Sequence, residues 1–221
     1  WSDVLYSSYY KHYYEKDKIY KETTKHIRSI EKAAIQNTNK IFLTSKWAVN
    51  IAKKKYQNNT NKFRLMNFGA NLNIFNSRNN IKKSIARKLN QKLKLLVIAV
   101  DWKRKGIYDV YKLKEIIEKK NLDVSLTIVG AKNIIKIKDK NINFENFLNK
   151  TYPKDEKKLI KIISESNFNL LLSKSEAYGI VLVESIALGT PNIVYDVGGM
   201  NEIVKNKKSG LIYKKNTSIK K

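Results

Sequence analysis

A doubly wound, open parallel α/β sheet is the fold this sequence predicts, and two observations carry it. From Leu93 onward, short apolar runs alternate with stretches of helical period, joined by brief connections. One of those runs, residues 95–100 (Leu-Leu-Val-Ile-Ala-Val), is apolar without interruption, as expected of a parallel strand covered on both faces. Strand, helix, strand with short links implies right-handed crossovers. Ligands of such sheets sit in the loops at the carboxyl ends of the strands.

Taken in order, the residues up to about Tyr20 are rich in Tyr, Lys and Ser and show no period. The run Tyr6, Tyr9, Tyr10, Tyr13 and Tyr14 reads as packing against a cleft between two units. Over residues 21–36, Ile27, Ile30, Ala33 and Ala34 recur at three- and four-residue intervals, which predicts an amphipathic helix packed through those four. His26 lies on that helix as a surface residue, and His12 is the only other histidine. Residues 40–44 form a short strand, and Ser45 caps a helix bearing Trp47, Val49, Ile51 and Ala52. Residues 63–66 form a second strand. It runs into Asn67-Phe68-Gly69-Ala70-Asn71, a turn in which Gly69 offers a positive φ.

The polar, Asn- and Lys-rich residues 73–91 mark a domain boundary. Residues 1–75 are then the remnant of a first unit with its hinge, and residues 76–221 a second unit. In the second unit the expected strands are 93–100, 124–129 (ended by Gly130), 142–147, 167–172 and 192–195. The expected helices are 107–120, 154–166, 180–188 and 200–205.

Composition bounds the function. A chain of 221 residues, 42% hydrophobic with 13 tyrosines, buries a real core. No run approaches the roughly 18 apolar residues of a membrane span. Without cysteine there is neither a disulfide framework nor a thiolate metal site, and no His or carboxylate cluster has metal-ligand spacing. The start at Trp1, with no initiator Met or leader pattern, reads as a piece of a longer protein. The formal charge of +26 invites a nucleic-acid reading. Against it, Arg28, Arg64, Arg78, Arg87 and Arg104 are the only arginines, and the lysines are spread along the whole chain. Arginine is the residue of bidentate phosphate and guanine contacts. Composition thus argues against a specific nucleic-acid site and leaves a weak attraction to an acidic membrane surface.

The chemistry concentrates in residues 173–184, Ser-Lys-Ser-Glu-Ala-Tyr-Gly-Ile-Val-Leu-Val-Glu. A strand ends, a polar loop follows, and a helix starts near Gly179. Glycine admits a ligand close to the backbone, and first-turn amides favour a phosphate. Glu176 stands before the helix and Glu184 about one and a half turns inside it, so both carboxylates can face one ligand. Carboxylates accept hydrogen bonds from hydroxyls. Two of them flanking an anion-binding helix start suit a ligand that is polyhydroxyl at both ends with phosphate between. For two glutamates alone, a dipole-favoured acid and a solvated acid are the commoner reading.

The surrounding text changes that balance. The segment resembles the donor-binding motif of glycosyltransferase family 4, retaining enzymes in which two glutamates separated by seven residues frame aromatic, glycine and aliphatic residues. Further matches follow in order: residues 187–191 (Ala-Leu-Gly-Thr-Pro), 195–199 (Tyr-Asp-Val-Gly-Gly), 202–204 (Glu-Ile-Val) and 209–212 (Ser-Gly-Leu-Ile). Upstream, residues 67–71, 102–106 (Trp-Lys-Arg-Lys-Gly), 126–130 and 144–148 also fit.

The resemblance implies a GT-B-type, Rossmann-like doubly wound sheet with an incomplete N-terminal Rossmann-like domain. It implies a cytoplasmic enzyme, peripheral at most to the inner membrane face, moving sugar from a nucleotide diphosphate sugar to a hydroxyl acceptor without a cofactor or metal. Glu176 would contact the transferred sugar and Glu184 the ribose. Backbone amides near Tyr178, Gly179 and Ile180 would hold sugar and phosphate, Lys105 would neutralise the diphosphate, and the base would lie near Phe147 and Leu148. Two departures stand out. Val100 replaces an arginine, for which Arg104 can substitute, and Leu172 replaces a proline. Two other readings compete: a fragment that binds nucleotide sugar without turnover, and a basic protein for nucleic acid or membrane surfaces.

Overall fold

The structure, a computed structural model, describes residues 21–74, 92–131 and 139–214. The tyrosine-rich start, His12 and most of the expected domain boundary lie outside them.

The first unit comprises α1 (Lys21–Asn37), β1 (Ile41–Leu43), α2 (Lys46–Lys55), a 3-10 turn (Gln57–Lys62) and β2 (Phe63–Leu65). β1 and β2 pair in parallel, with Ile41 opposite Phe63. Ala52, Val49 and Phe63 share a small core with Ile35 of α1. Ser45 caps α2, its hydroxyl accepting from the Ala48 N–H at 3.1 Å. The packed side of α1 departs from expectation. Glu31 and Ile35, one turn apart, are buried, whereas Ile30 is 57% exposed and Ala33 and Ala34 face solvent. The helical period holds, yet the buried stripe is shifted. Tyr56 donates its hydroxyl to Glu31 Oε2 at 2.6 Å, which lets an acid sit where periodicity looks for an alkyl group. Gly69 is a second correction. It is not among the positive-φ glycines, and a Cβ there would meet nothing within 4 Å, so no backbone demand explains it.

The second unit comprises β3 (Leu93–Ile98), α3 (Ile107–Lys119), β4 (Val124–Val129), β5 (Ile142–Glu145), α4 (Pro153–Glu165), β6 (Phe168–Leu171), α5 (Ile180–Ala187), β7 (Asn192–Tyr195), α6 (Met200–Ile203) and β8 (Gly210–Tyr213). Its six strands run in parallel in the order β5-β4-β3-β6-β7-β8. Up to Ile98, where β3 ends short of the expected 93–100, the apolar run is explained by the two cores it serves; Val100 lies beyond the strand and is 58% exposed. Leu95 and Val97 pack into a core with Ile107, Val110 and Leu126. Leu96, pointing the other way, joins Leu159, Ile163 and Leu188. Each such leucine contributes about 1.5–3 kcal/mol by leaving water. β8 is an edge strand that sequence reading leaves out, because a glycine, two half-buried residues and an exposed tyrosine set among lysines carry little strand signal. No helix among the described residues is long and apolar enough to cross a membrane.

The chain builds β3, β4 and β5 in one direction and then crosses to β6 on the other flank of β3. The strand order therefore reverses between β3 and β6, and a doubly wound sheet opens its ligand crevice at that point.

Candidate functional site

The loops after β3 and β6 are stitched together across the reversal. Lys174 N–H donates to Arg104 O at 2.8 Å. Gly106, at φ +72 in front of α3, approaches so closely that a Cβ there would stand 2.0 Å from Leu172 O. The β3 loop is itself folded around Asp101, whose carboxylate accepts from Arg104 N and Nε, each at 3.2 Å. This places Arg104 and Lys105 side by side at the strand ends.

Glu176, 8% exposed, receives both cations on the same oxygen. Lys105 Nζ donates to Oε2, and Arg104 Nη1 lies 3.4 Å from Oε2 while donating to Ser175 O at 3.0 Å. Glu184 is wholly buried on the first turns of α5. Its Oε1 accepts from Lys150 Nζ, whereas Oε2 has no hydrogen-bond partner. Burial pushes the Glu184 carboxyl above its usual range, against the opposing pull of the Lys150 ammonium and the nearby Asn71 amide. Lys150 is itself set by a turn. Asn149 Oδ1 accepts from Thr151 N–H at 3.1 Å, and Asn149 N–H donates to Asp155 Oδ2 at 3.0 Å.

Between these groups lies a cleft of about 910 Å³, at the large end of the range for small-molecule sites. Arg104, Lys105, Phe147 and Leu148 line it, as do Val100, Lys150 and Val181. Phe147 is 65% exposed at its rim and Leu148 is buried in its wall. Glu176 and Glu184 stand behind the wall, each tied to a lysine that lines it. The structure thus brings together six of the predicted residues. Tyr178, Gly179 and Ile180 are not among the lining residues, although Val181 in the same turn is. Tyr178 turns to the segment after β2, where its hydroxyl donates to Phe68 O at 2.7 Å and its ring meets Phe68 edge-on at 5.9 Å. Gly179 supplies a left-handed residue, φ +89, in front of α5.

Lys150 is the residue that sequence reasoning misses. One lysine among so many carries no mark, and its partner lies 34 positions away. The only available signal was the Asn149-Lys-Thr-Tyr-Pro153 turn between a strand and a helix. Chemically, the cleft presents three cations able to hold phosphate, and behind two of them lie carboxylates that can accept from hydroxyls once their lysines turn away.

Residues 77–221 match the family described as glycosyl transferases group 1. Over 60 residues the chain is 38% identical to a D-inositol 3-phosphate glycosyltransferase of Jonesia denitrificans, a stretch covering 27% of this chain and 14% of that protein. The sucrose-phosphate synthase of Thermosynechococcus elongatus superposes with a TM-score of 0.69 at 19% identity, covering 96% of this chain and 52% of that one. The Anabaena HepE protein in complex with UDP-glucose superposes with a TM-score of 0.66 at 15% identity, covering 87% and 54%. The chain spans about half the length of these solved structures, and the likeness confirms the expected fold of parallel α/β type seen in GT-B enzymes. With well over half of its residues inside the family match, the chain belongs to the group 1 glycosyltransferases.

Proposed function

We propose that this chain holds the donor side of a retaining glycosyltransferase, which moves a sugar from a nucleotide diphosphate sugar to a hydroxyl acceptor. One observation carries the reading: Glu176 and Glu184 are both buried, and each is held by a lysine lining the same strand-end cleft. Glu184 accepts from the ribose hydroxyls and Glu176 from hydroxyls of the transferred sugar. Lys105 and Arg104 offset the charge that grows on the diphosphate as the bond from its oxygen to the anomeric carbon breaks. The acceptor oxygen forms the new bond on the same face, and its proton passes to the departing phosphate. Phe147 and Leu148 offer an apolar seat for the base. The neighbour solved with UDP-glucose supports a nucleotide sugar as donor.

In the full-length protein Glu176→Ala lowers transfer and donor hydrolysis well over tenfold, while nucleotide affinity by calorimetry changes little. Turnover at the parent rate would refute the role of Glu176. A second reading, nucleotide-sugar binding without turnover, is favoured by the span of about half the matched structures. It predicts saturable binding among UDP, GDP and ADP with no transfer by this chain. Attraction of the lysine-rich surface to acidic membranes is a separate proposal, tested by salt-sensitive co-sedimentation with anionic vesicles.

A further inference from the structure

Beside the cleft, the two units are joined by a contact that the proposed reaction does not use. Glu202, the third residue of α6, reaches the start of α2. Its Oε2 accepts from Lys46 N–H and its Oε1 from Trp47 N–H, both at 2.7 Å. These first-turn amides have no partner within their own helix, and they carry the positive end of its dipole. Next to them, buried Ser45 donates its hydroxyl to Ala177 O at 3.3 Å while capping Ala48. Gly199 N–H donates to the same Ala177 carbonyl at 3.2 Å. A Cβ on Gly199 would come within 2.6 Å of Ser45 Cβ. Ala177 directly follows Glu176, so the loop bearing that carboxylate is pinned between α2 of one unit and α6 of the other.

We propose that Glu202 is a positioning residue that registers the first unit against the second and thereby sets where Glu176 stands. The role rests on Glu176 acting on the donor, as proposed above. If Glu202 only stabilised the fold, its loss would lower the melting temperature and leave the rate of the folded enzyme unchanged. Positioning predicts a fall in kcat at nearly constant donor KM, because the nucleotide end of the cleft lies on other elements.

The test uses two variants of the full-length protein. Glu202→Gln turns one of the two acceptors into a donor facing an N–H. Lys46→Pro deletes one donor from the other side. Proline is favoured at a first helical position, and the extended backbone of Ser45 (φ −140, ψ 152) suits the residue before it. We expect kcat to fall roughly tenfold in the first and roughly fivefold in the second, with KM moving by less than about threefold. This sequence has no cysteine, so once any cysteine elsewhere in the full-length protein is replaced by serine, cysteines placed at exposed Lys53 and Lys161 take spin labels cleanly. The distance between them should be single and narrow in the parent and broadened in both variants. Unchanged kcat in the folded variants overturns the positioning role, and unbroadened distances overturn the latch. Should Glu202→Gln fail to fold, Lys46→Pro decides alone. A parent protein that transfers no sugar sinks the functional reading instead, and the distances still judge the latch.

Discussion

Gly198 offers the sharpest test of whether the Glu176 loop must stand where it does. It occupies a left-handed conformation, φ +60, and a Cβ added there would lie 1.6 Å from the Glu176 carbonyl oxygen. Real Cβ contacts do not fall below 3.0 Å, so in Gly198→Ala one of the two backbones must move by more than an ångström. Backbone is the obstacle on both sides, and no side-chain rotation relieves it. The left-handed alanine costs about 1 kcal/mol by itself, and residual strain brings the loss of stability to about 1–3 kcal/mol. A displacement of about 1 Å at a reacting centre costs on the order of a hundredfold in rate, or about 2.7 kcal/mol of barrier. Initial rates at saturating donor should fall by that factor. Calorimetric nucleotide affinity should stay within about threefold, since Glu184 and Lys150 sit on other elements. Gly69→Ala is the control: it meets open space without a positive φ, and it should leave the rate unchanged and stability equal or about 0.5 kcal/mol higher. A folded Gly198→Ala enzyme within twofold of the parent kcat would refute the argument.

The remaining predictions concern charge. Burial raises the Glu184 carboxyl above its ordinary 4.5, so donor KM should rise as pH falls through a value above 4.5, and Glu184→Gln should abolish that dependence. The same raised value means that the Glu184 contribution to stability is complete below 4.5 and is lost as pH rises. The melting temperature of Glu184→Gln minus that of the parent should therefore become more positive as pH rises, and a flat difference would contradict the burial argument. Lys114, with no exposed side-chain surface, pairs with Glu118 and Asp139, so Lys114→Met should cost about 3 kcal/mol in denaturant unfolding at neutral pH. The Asp139 carboxyl is held below its ordinary 3.8. Its contribution is present above 3.8 and lost as pH falls through the depressed value, so the penalty should shrink in strong acid.

What was legible in the sequence follows how far each signal reaches along the chain. The alternation that defines β3 to α6 is local, and so is the Ser45 cap, which needs only the next three residues. The carboxylate pair was legible because its members share one loop and helix. The packed face of α1 was not, since burial of Glu31 depends on Tyr56, 25 residues later. Lys150 meets Glu184 across 34 positions and Glu202 meets Lys46 across 156, and no pattern within either segment announces the partner. The Tyr178 side chain was likewise not legible: its hydroxyl donates to Phe68 O and its ring meets Phe68 edge-on, 110 positions away.

These unannounced pairings change how the chain's charge should be read. The formal +26 suggests a site that draws anions by bulk attraction. At the cleft, however, Arg104, Lys105 and Lys150 are matched against Asp101, Glu176 and Glu184, so local charge is close to balance. Under the proposed function a diphosphate gains there by exchange: as Lys105 turns from Glu176 toward a phosphate oxygen, the carboxylate is released to accept from a sugar hydroxyl. One ligand that presents both groups at the right separation satisfies both halves of the exchange, whereas a bare phosphate would leave buried Glu176 with only its longer Arg104 contact at 3.4 Å. Selectivity for a sugar nucleotide over simple anions then follows from re-partnering of ion pairs, and the lysine-rich surface contributes little to it.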